Sequence, residues 1–124
     1  MADIDWVILS EDATQGEDGR LSILSIFNIA LVPSVPAKIE RFSISFRLVG
    51  DPFEEFPLLI KIIDIQAGMA ASEVRGSVQF SDSGMMERFI KIPDLLLRSF
   101  GLYEVHVFIG DEFKKGTIFS LRQS

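Results

Sequence analysis

His106 is the only histidine in the chain, so it is the first residue to weigh as a general base. It lies in an alternating run, with Tyr103, Val105, Val107 and Ile109 opposing Glu104, His106 and Phe108. That period puts the imidazole on the strand face away from Tyr103. No serine stands in a Gly-x-Ser-x-Gly elbow, and there is no cysteine for thiolate chemistry. One histidine plus carboxylates is a poor donor set for zinc. Gly16 to Arg20 reads as a hairpin, because no strand-to-helix turn and no Gly-Lys-Ser accompany it. These residues predict no catalytic, cofactor-binding or metal site. His106 reads as a solvated or subunit-contact strand residue.

The carboxylates carry the other possible chemistry. If every connection reverses strand direction, the odd-numbered loops emerge at one end: Glu11–Gly19, Gly50–Phe56, Ser81–Met85 and Gly110–Glu112. They hold Glu11, Asp12, Glu17, Asp18, Asp51, Glu54, Glu55, Asp82, Asp111 and Glu112, ten of the eighteen acids, with no lysine or arginine. A calcium site would need several oxygen ligands converging from different loops. The residue type is right, but no Asp-x-Asp spacing occurs. An acidic field that steers a basic protein partner is the other functional reading. Acids that merely keep an apolar domain soluble are the plain one.

The elements that must position these residues are strands. Ile, Val and Phe are abundant and alternation recurs. Strand one is expected over Ile4–Ser10, with Ile4, Trp6 and Ile8 on one side and Val7 and Leu9 on the other. A second runs Leu21–Ala30, its inward set shifting from Leu21 and Ile23 to Ile26 and Asn28, which predicts a bulge near Leu24 or Ser25. Phe42, Ile44, Phe46 and Leu48 alternate with Ser43, Ser45 and Arg47, the pattern of a strand with one wet face. Leu58–Ile65 is apolar on both faces apart from Lys61 and Asp64, so its outer residues Leu59, Ile63 and Ile65 need cover, as does Phe108. Strands over Glu73–Phe80, Met86–Ile92, Leu102–Ile109 and Thr117–Leu121 follow. Pro93 to Phe100 reads as one short helical turn plugging an end of the structure. Short connections and no long amphipathic helix give an all-β chain. The expected fold is an antiparallel β-sandwich of seven to eight strands, immunoglobulin-like or C2-like, forming a single domain over residues 1–124.

Two stretches carry a resemblance. Gly19-Arg20-Leu21-Ser22-Ile23-Leu24-Ser25-Ile26-Phe27 resembles a Gly-(Lys/Arg)-Leu-x-(Ile/Leu)-x-Gly-(Ile/Val)-Phe opening, with Ser25 where that opening has glycine. Phe100-Gly101-Leu102-Tyr103-Glu104-Val105 resembles a Gly-x-Tyr-x-(Phe/Val) entry to a late strand. Spaced as here, they resemble a family of small uncharacterised bacterial β-sandwich domains. The resemblance implies a fold and no activity. The Gly-x-Tyr element also resembles immunoglobulin-like domains, in which a tyrosine hydroxyl bonds corner backbone. Tyr103 would play that part here.

Charge and hydropathy narrow the partners. A net charge of −6 repels phosphate backbones and anionic membrane surfaces, and no basic cluster reverses this locally. The opening Met-Ala-Asp-Ile-Asp lacks the pattern of a signal peptide, and no apolar run approaches membrane-spanning length, so a cytoplasmic setting is expected. Mean hydropathy is positive despite the charge, which points to apolar surface left for a contact. The resulting expectation is a non-enzymatic binding or assembly module that self-associates as a homo-oligomer or binds a basic protein. The alternative is a small metal- or carboxylate-dependent enzyme or calcium-binding domain using the acidic end.

Overall fold

A computed structural model describes residues Met1–Ser124. The chain is all-β. Its strands are β1 (Asp3–Gln15), β2 (Leu21–Ile26), β3 (Ile29–Val32), β4 (Ala37–Ile39), β5 (Ser43–Val49), β6 (Glu55–Asp64), β7 (Met69–Gln79), β8 (Met85–Lys91), β9 (Leu95–Leu97), β10 (Gly101–Ile109) and β11 (Glu112–Gln123). A four-stranded sheet of order β2-β1-β5-β8 packs on a five-stranded sheet of order β3-β11-β10-β6-β7. The expected sandwich is present, but with eleven strands: the second expected strand is divided into β2 and β3, the short β4 and β9 are added, and β1 and β11 run longer than expected. All pairings are antiparallel except β3 with β11, which is parallel. The exception arises because the second expected strand is split. The Phe27 amide still bonds to Leu9 on β1, whereas the Asn28 carbonyl accepts from Ser120 on β11, so the chain changes sheets between these two residues.

Ser25 prepares that crossing. Its φ of 59° is left-handed, in the slot where the resembling motif has glycine. The β1–β2 register runs Ser10 to Ile26 and Asp12 to Leu24 without an extra residue, so the irregularity is a left-handed residue and not a bulge. As a result Phe27, not Ile26, turns onto the core, and Ile26 is exposed. A non-glycine residue held there costs about 1–2 kcal/mol, partly offset by the greater chain entropy of unfolded glycine. Ser25→Gly is therefore expected to stabilise by about 0.5–1 kcal/mol, read as a melting temperature roughly 2–4 °C higher. An unchanged or lower value would mean that the Ser25 side chain contributes locally.

A true bulge occurs in β1. The register shifts between Ile4 and Trp6, which leaves Asp5 unpaired. This reverses the expected faces beyond it: Ile4 and Leu9 are buried and Val7 packs on the core, while Trp6 and Ile8 point outward. Residues Pro93–Phe100 form no helical turn. Leu95 and Leu97 are buried on one side of β9, which pairs antiparallel with β4. Two inward leucines separated by one residue satisfy a strand period and not a helical one.

β5 is buried on both faces, contrary to the wet face expected. Phe42, Ile44, Phe46 and Leu48 fill the core, and Ser43 and Ser45 are covered as well. The far half of β1 crosses over them. Asp12 reaches Lys91 on β8 at 2.8 Å, and Gln15 Nε2 donates to the Glu87 carbonyl at 3.1 Å. Since β5 separates β1 from β8 in the sheet, both contacts must pass over its outer face. At the centre of the sandwich, Tyr103 stacks on Phe119 with centroids 5.2 Å apart, and Phe42 packs against Phe119 at 5.3 Å.

Candidate functional sites

The buried end of β6 holds a polar knot. Asp64 shares the inward parity of Leu58, Ile60 and Ile62, and all four are buried. Its Oδ1 accepts from Gln66 Nε2 at 3.0 Å and from the Ala67 amide at 3.1 Å. Its Oδ2 accepts from Ser99 Oγ at 2.8 Å, and the Tyr103 hydroxyl oxygen lies 3.4 Å away. The Tyr103 hydroxyl also donates to the Ser99 carbonyl at 2.7 Å, the corner contact expected from the Gly-x-Tyr element. Gln66 completes the clamp from the β6–β7 turn. Its Oε1 accepts from the Leu102 amide at 2.8 Å, and its Nε2 donates to the Leu102 carbonyl at 3.1 Å. Burial pushes the Asp64 pKa up, but the donors Ser99, Ala67 and Gln66 outweigh it and hold the carboxyl below its ordinary range. A carboxylate whose two oxygens already receive Gln66, Ala67 and Ser99 is an anchor, not a poised base. The sequence signal was available: an acid at an inward position of an otherwise apolar strand.

His106 does have a partner. Its Nε2 lies 2.5 Å from Glu104 Oε2, two residues along the same strand and on the same face. The ring meets Phe113 edge-on at 5.1 Å and Phe108 at 6.2 Å. Its cross-strand neighbours are Lys61 on β6, which pairs with Glu73 at 3.7 Å, and Gly116 on β11. The pair orients an imidazole within an aromatic cluster on the outer face of the five-stranded sheet.

The acidic loops converge only in part. The Gly50 amide donates to the Gly84 carbonyl at 2.8 Å, and the Phe53 amide to the Ser81 carbonyl at 3.0 Å. The Gly110 amide meets the Pro57 carbonyl at 2.9 Å, which brings the third turn to the same end. Glu11 and Asp12 do not join them, because β1 continues through both residues to Gln15. Lys91 and the Ala13 amide hold the Asp12 carboxyl below its ordinary range, at the other end of β5. Among the remaining acids, Glu54 accepts from the Ala2 amide at 3.0 Å and the Asp51 amide at 3.1 Å, while Asp51 lies 2.6 Å from the Met1 amine. No three acids or histidines stand close enough together to hold a metal ion.

The outer face of the five-stranded sheet carries the excess apolar surface. Leu59 and Ile63 lie on it half-buried, beside Phe108 and Phe113, which pack edge-to-face at 5.8 Å. Lys61 lies over Phe108 at 5.5 Å from its centroid. Leu102, Ile118, Ile29 and Leu31 extend the face toward β3 and are exposed. Ile65, expected on the same face, lies beyond the end of β6, where its amide bonds to the Leu102 carbonyl at 3.2 Å.

Residues 5–122 match a family described as a family of unknown function, DUF6941. The chain belongs to that family. No curated protein matches it. Among solved structures, the chain is similar to an immunoglobulin-like protein from Pseudomonas aeruginosa, with 14% identity and a TM-score of 0.52. The match covers 98% of this chain and 97% of that one. At that identity the likeness concerns the fold alone, and it agrees with the two-sheet sandwich. For this member of DUF6941, the fold and the family are in place without an activity attached to either. No helix is long and apolar enough to cross a membrane.

Proposed function

We propose that the chain is a non-enzymatic β-sandwich interaction module that self-associates through the outer face of its five-stranded sheet. The observation that supports this most is the set of apolar side chains on that one face: Leu59, Phe108 and Phe113 on one side of the Lys61–His106 row, and Ile63, Leu102 and Ile118 on the other. Apolar clusters of this kind, exposed on one face, mark contact surfaces on small domains. The face also carries both signs of charge: Lys61 pairs with Glu73 at 3.7 Å, and Glu104 lies beside His106. A two-fold contact sets a patch against itself, so mixed signs suit a second copy better than a strongly basic partner. The net negative charge argues against nucleic acid or an anionic membrane as the partner.

Two lysine substitutions test this reading. Ile118 is 56% exposed and lies outside the core, so Ile118→Lys should fold normally and run at a smaller hydrodynamic size than the parent. Ile63→Lys should do the same, with the far-ultraviolet spectrum as the folding control. Parental size in both folded variants would remove this face from the contact.

A further inference from the structure

The two long sides of the sandwich are closed differently. On one side the chain itself passes from β2 to β3 and ties the sheets together. On the other, the sheets end in β8 and β7, and between these edges lies an open cleft of about 360 Å³. Its floor is the core residues Phe46, Leu58 and Ile60. Three features distinguish this cleft from an ordinary sandwich margin.

The first is β7 itself. It has eleven residues, contains neither proline nor lysine, and pairs only with β6. No side chain or loop takes a hydrogen bond from the backbone of its free edge. The bulge of β7 at Ala71 lies beyond the cleft, and its charged Glu73 and Arg75 are on the outer face, so the edge from Val74 to Gln79 along the cleft is regular and offers a template for an added strand. The second is Gly76. It pairs with the inward Leu58 and so occupies an inward position, between Val74 and Val78. Its φ is not left-handed, and a Cβ built there meets nothing within 4 Å. Neither backbone nor packing requires glycine at this point; its effect is to keep the cleft open. The third is Arg88. The register sets it opposite the inward Phe46, which places it on the cleft side of β8. Its guanidinium donates only to the neighbouring Glu87 carbonyl, at 3.2 Å, and has no carboxylate partner. Arg75 lies opposite the outward Leu59 and pairs with Glu73 at 3.7 Å, so it belongs to the outer sheet face and Arg88 is the guanidinium of the cleft.

We infer that this cleft binds an extended segment of a partner protein, which adds as a strand to β7, seats apolar side chains on the Phe46–Leu58–Ile60 floor and presents a carboxylate to Arg88. The charge argument selects the occupant: Arg88 faces the cleft without a carboxylate partner, in a chain that is otherwise net acidic. The free edge of β7 selects a peptide over a small apolar acid, which would leave that edge unused. This site is separate from the outer sheet face.

The test uses the full chain with capped heptapeptides that alternate valine with glutamate, serine or lysine, followed by amide chemical shifts. The glutamate peptide should bind saturably, with shifts concentrated on β7 and β8, and more tightly than the serine and lysine peptides. Gly76→Leu should remain folded, with an unchanged or higher melting temperature, and lose the binding. Arg88→Gln should weaken it about tenfold or more, the size expected for a lost charge-assisted bond. No peptide binding at millimolar concentration would overturn the inference. So would equal affinity for the lysine peptide, full binding by Gly76→Leu, or binding of decanoate in place of peptide. If Arg88 only protects the edge, Arg88→Gln should self-associate while peptide affinity stays unchanged, and that result would overturn it too.

Discussion

Tyr103→Ala should lower stability by about 3–5 kcal/mol, the usual cost of deleting a buried aromatic side chain. Tyr103 is fully buried, and its ring stacks on Phe119 with an interplanar angle of 11°. Removing the ring leaves a void beside Phe119 and also deletes the hydroxyl that holds the Ser99 carbonyl. For a domain of this length the loss corresponds to a melting temperature roughly 10–20 °C lower. Tyr103→Phe separates the two contributions. It keeps the stacking and leaves the Ser99 carbonyl without its donor, so it should cost about 1–2 kcal/mol. Denaturant unfolding of both variants against the parent measures each effect. Equal losses would place the whole effect in the hydroxyl, and no loss from Tyr103→Ala would remove the ring from the core.

Asp64→Ala should also be costly, about 2–3 kcal/mol, because it removes a buried carboxylate that several partly buried donors share. Ser99 Oγ, the Ala67 amide and Gln66 Nε2 would all lose their acceptor, and the turn after β6 would loosen from β10. The pH dependence has a definite sign. Burial opposes ionisation of Asp64, but the donors prevail, so its folded pKa lies below the ordinary 3.8. The folded state therefore binds this proton less readily than the unfolded chain does. The resulting stability is complete above the ordinary carboxylate value and is lost as pH falls through it toward the folded value. The difference in unfolding free energy between the parent and Asp64→Asn should accordingly be large at neutral pH and shrink in strong acid. A difference that stays constant down to the acid limit would mean that the carboxylate charge contributes nothing to the clamp.

Much of this fold is legible in residue alternation, and the exceptions have local causes. β5 and β10 read directly, because every inward position from Phe42 to Leu48 and from Tyr103 to Ile109 is apolar. β1 does not, because the unpaired Asp5 shifts the parity and alternation alone places no bulge there. Pro93 masks β9 as a turn, and only its pairing with β4 makes Leu95–Leu97 a strand. The buried Ser43 and Ser45 look like surface residues until the far half of β1 is seen to cross them. The polar knot joins Asp64, Gln66, Ser99 and Tyr103 over a sequence separation of 39, too far for spacing to reveal. The resembling motif gave Tyr103 its corner and gave Ser25 a slot that demands a left-handed residue. The acidic end was overdrawn for one reason: β1 runs on through Glu11 and Asp12 where a loop was expected.

Sedimentation equilibrium of the unmodified chain tests the central claim most directly. Self-association through the outer sheet face predicts an average mass that rises from the 13.9 kDa monomer toward twice that value as concentration increases from about 1 to about 500 μM. In the Ile118→Lys variant the rise should be shifted to higher concentration. A single species at 13.9 kDa over the whole range would contradict the account.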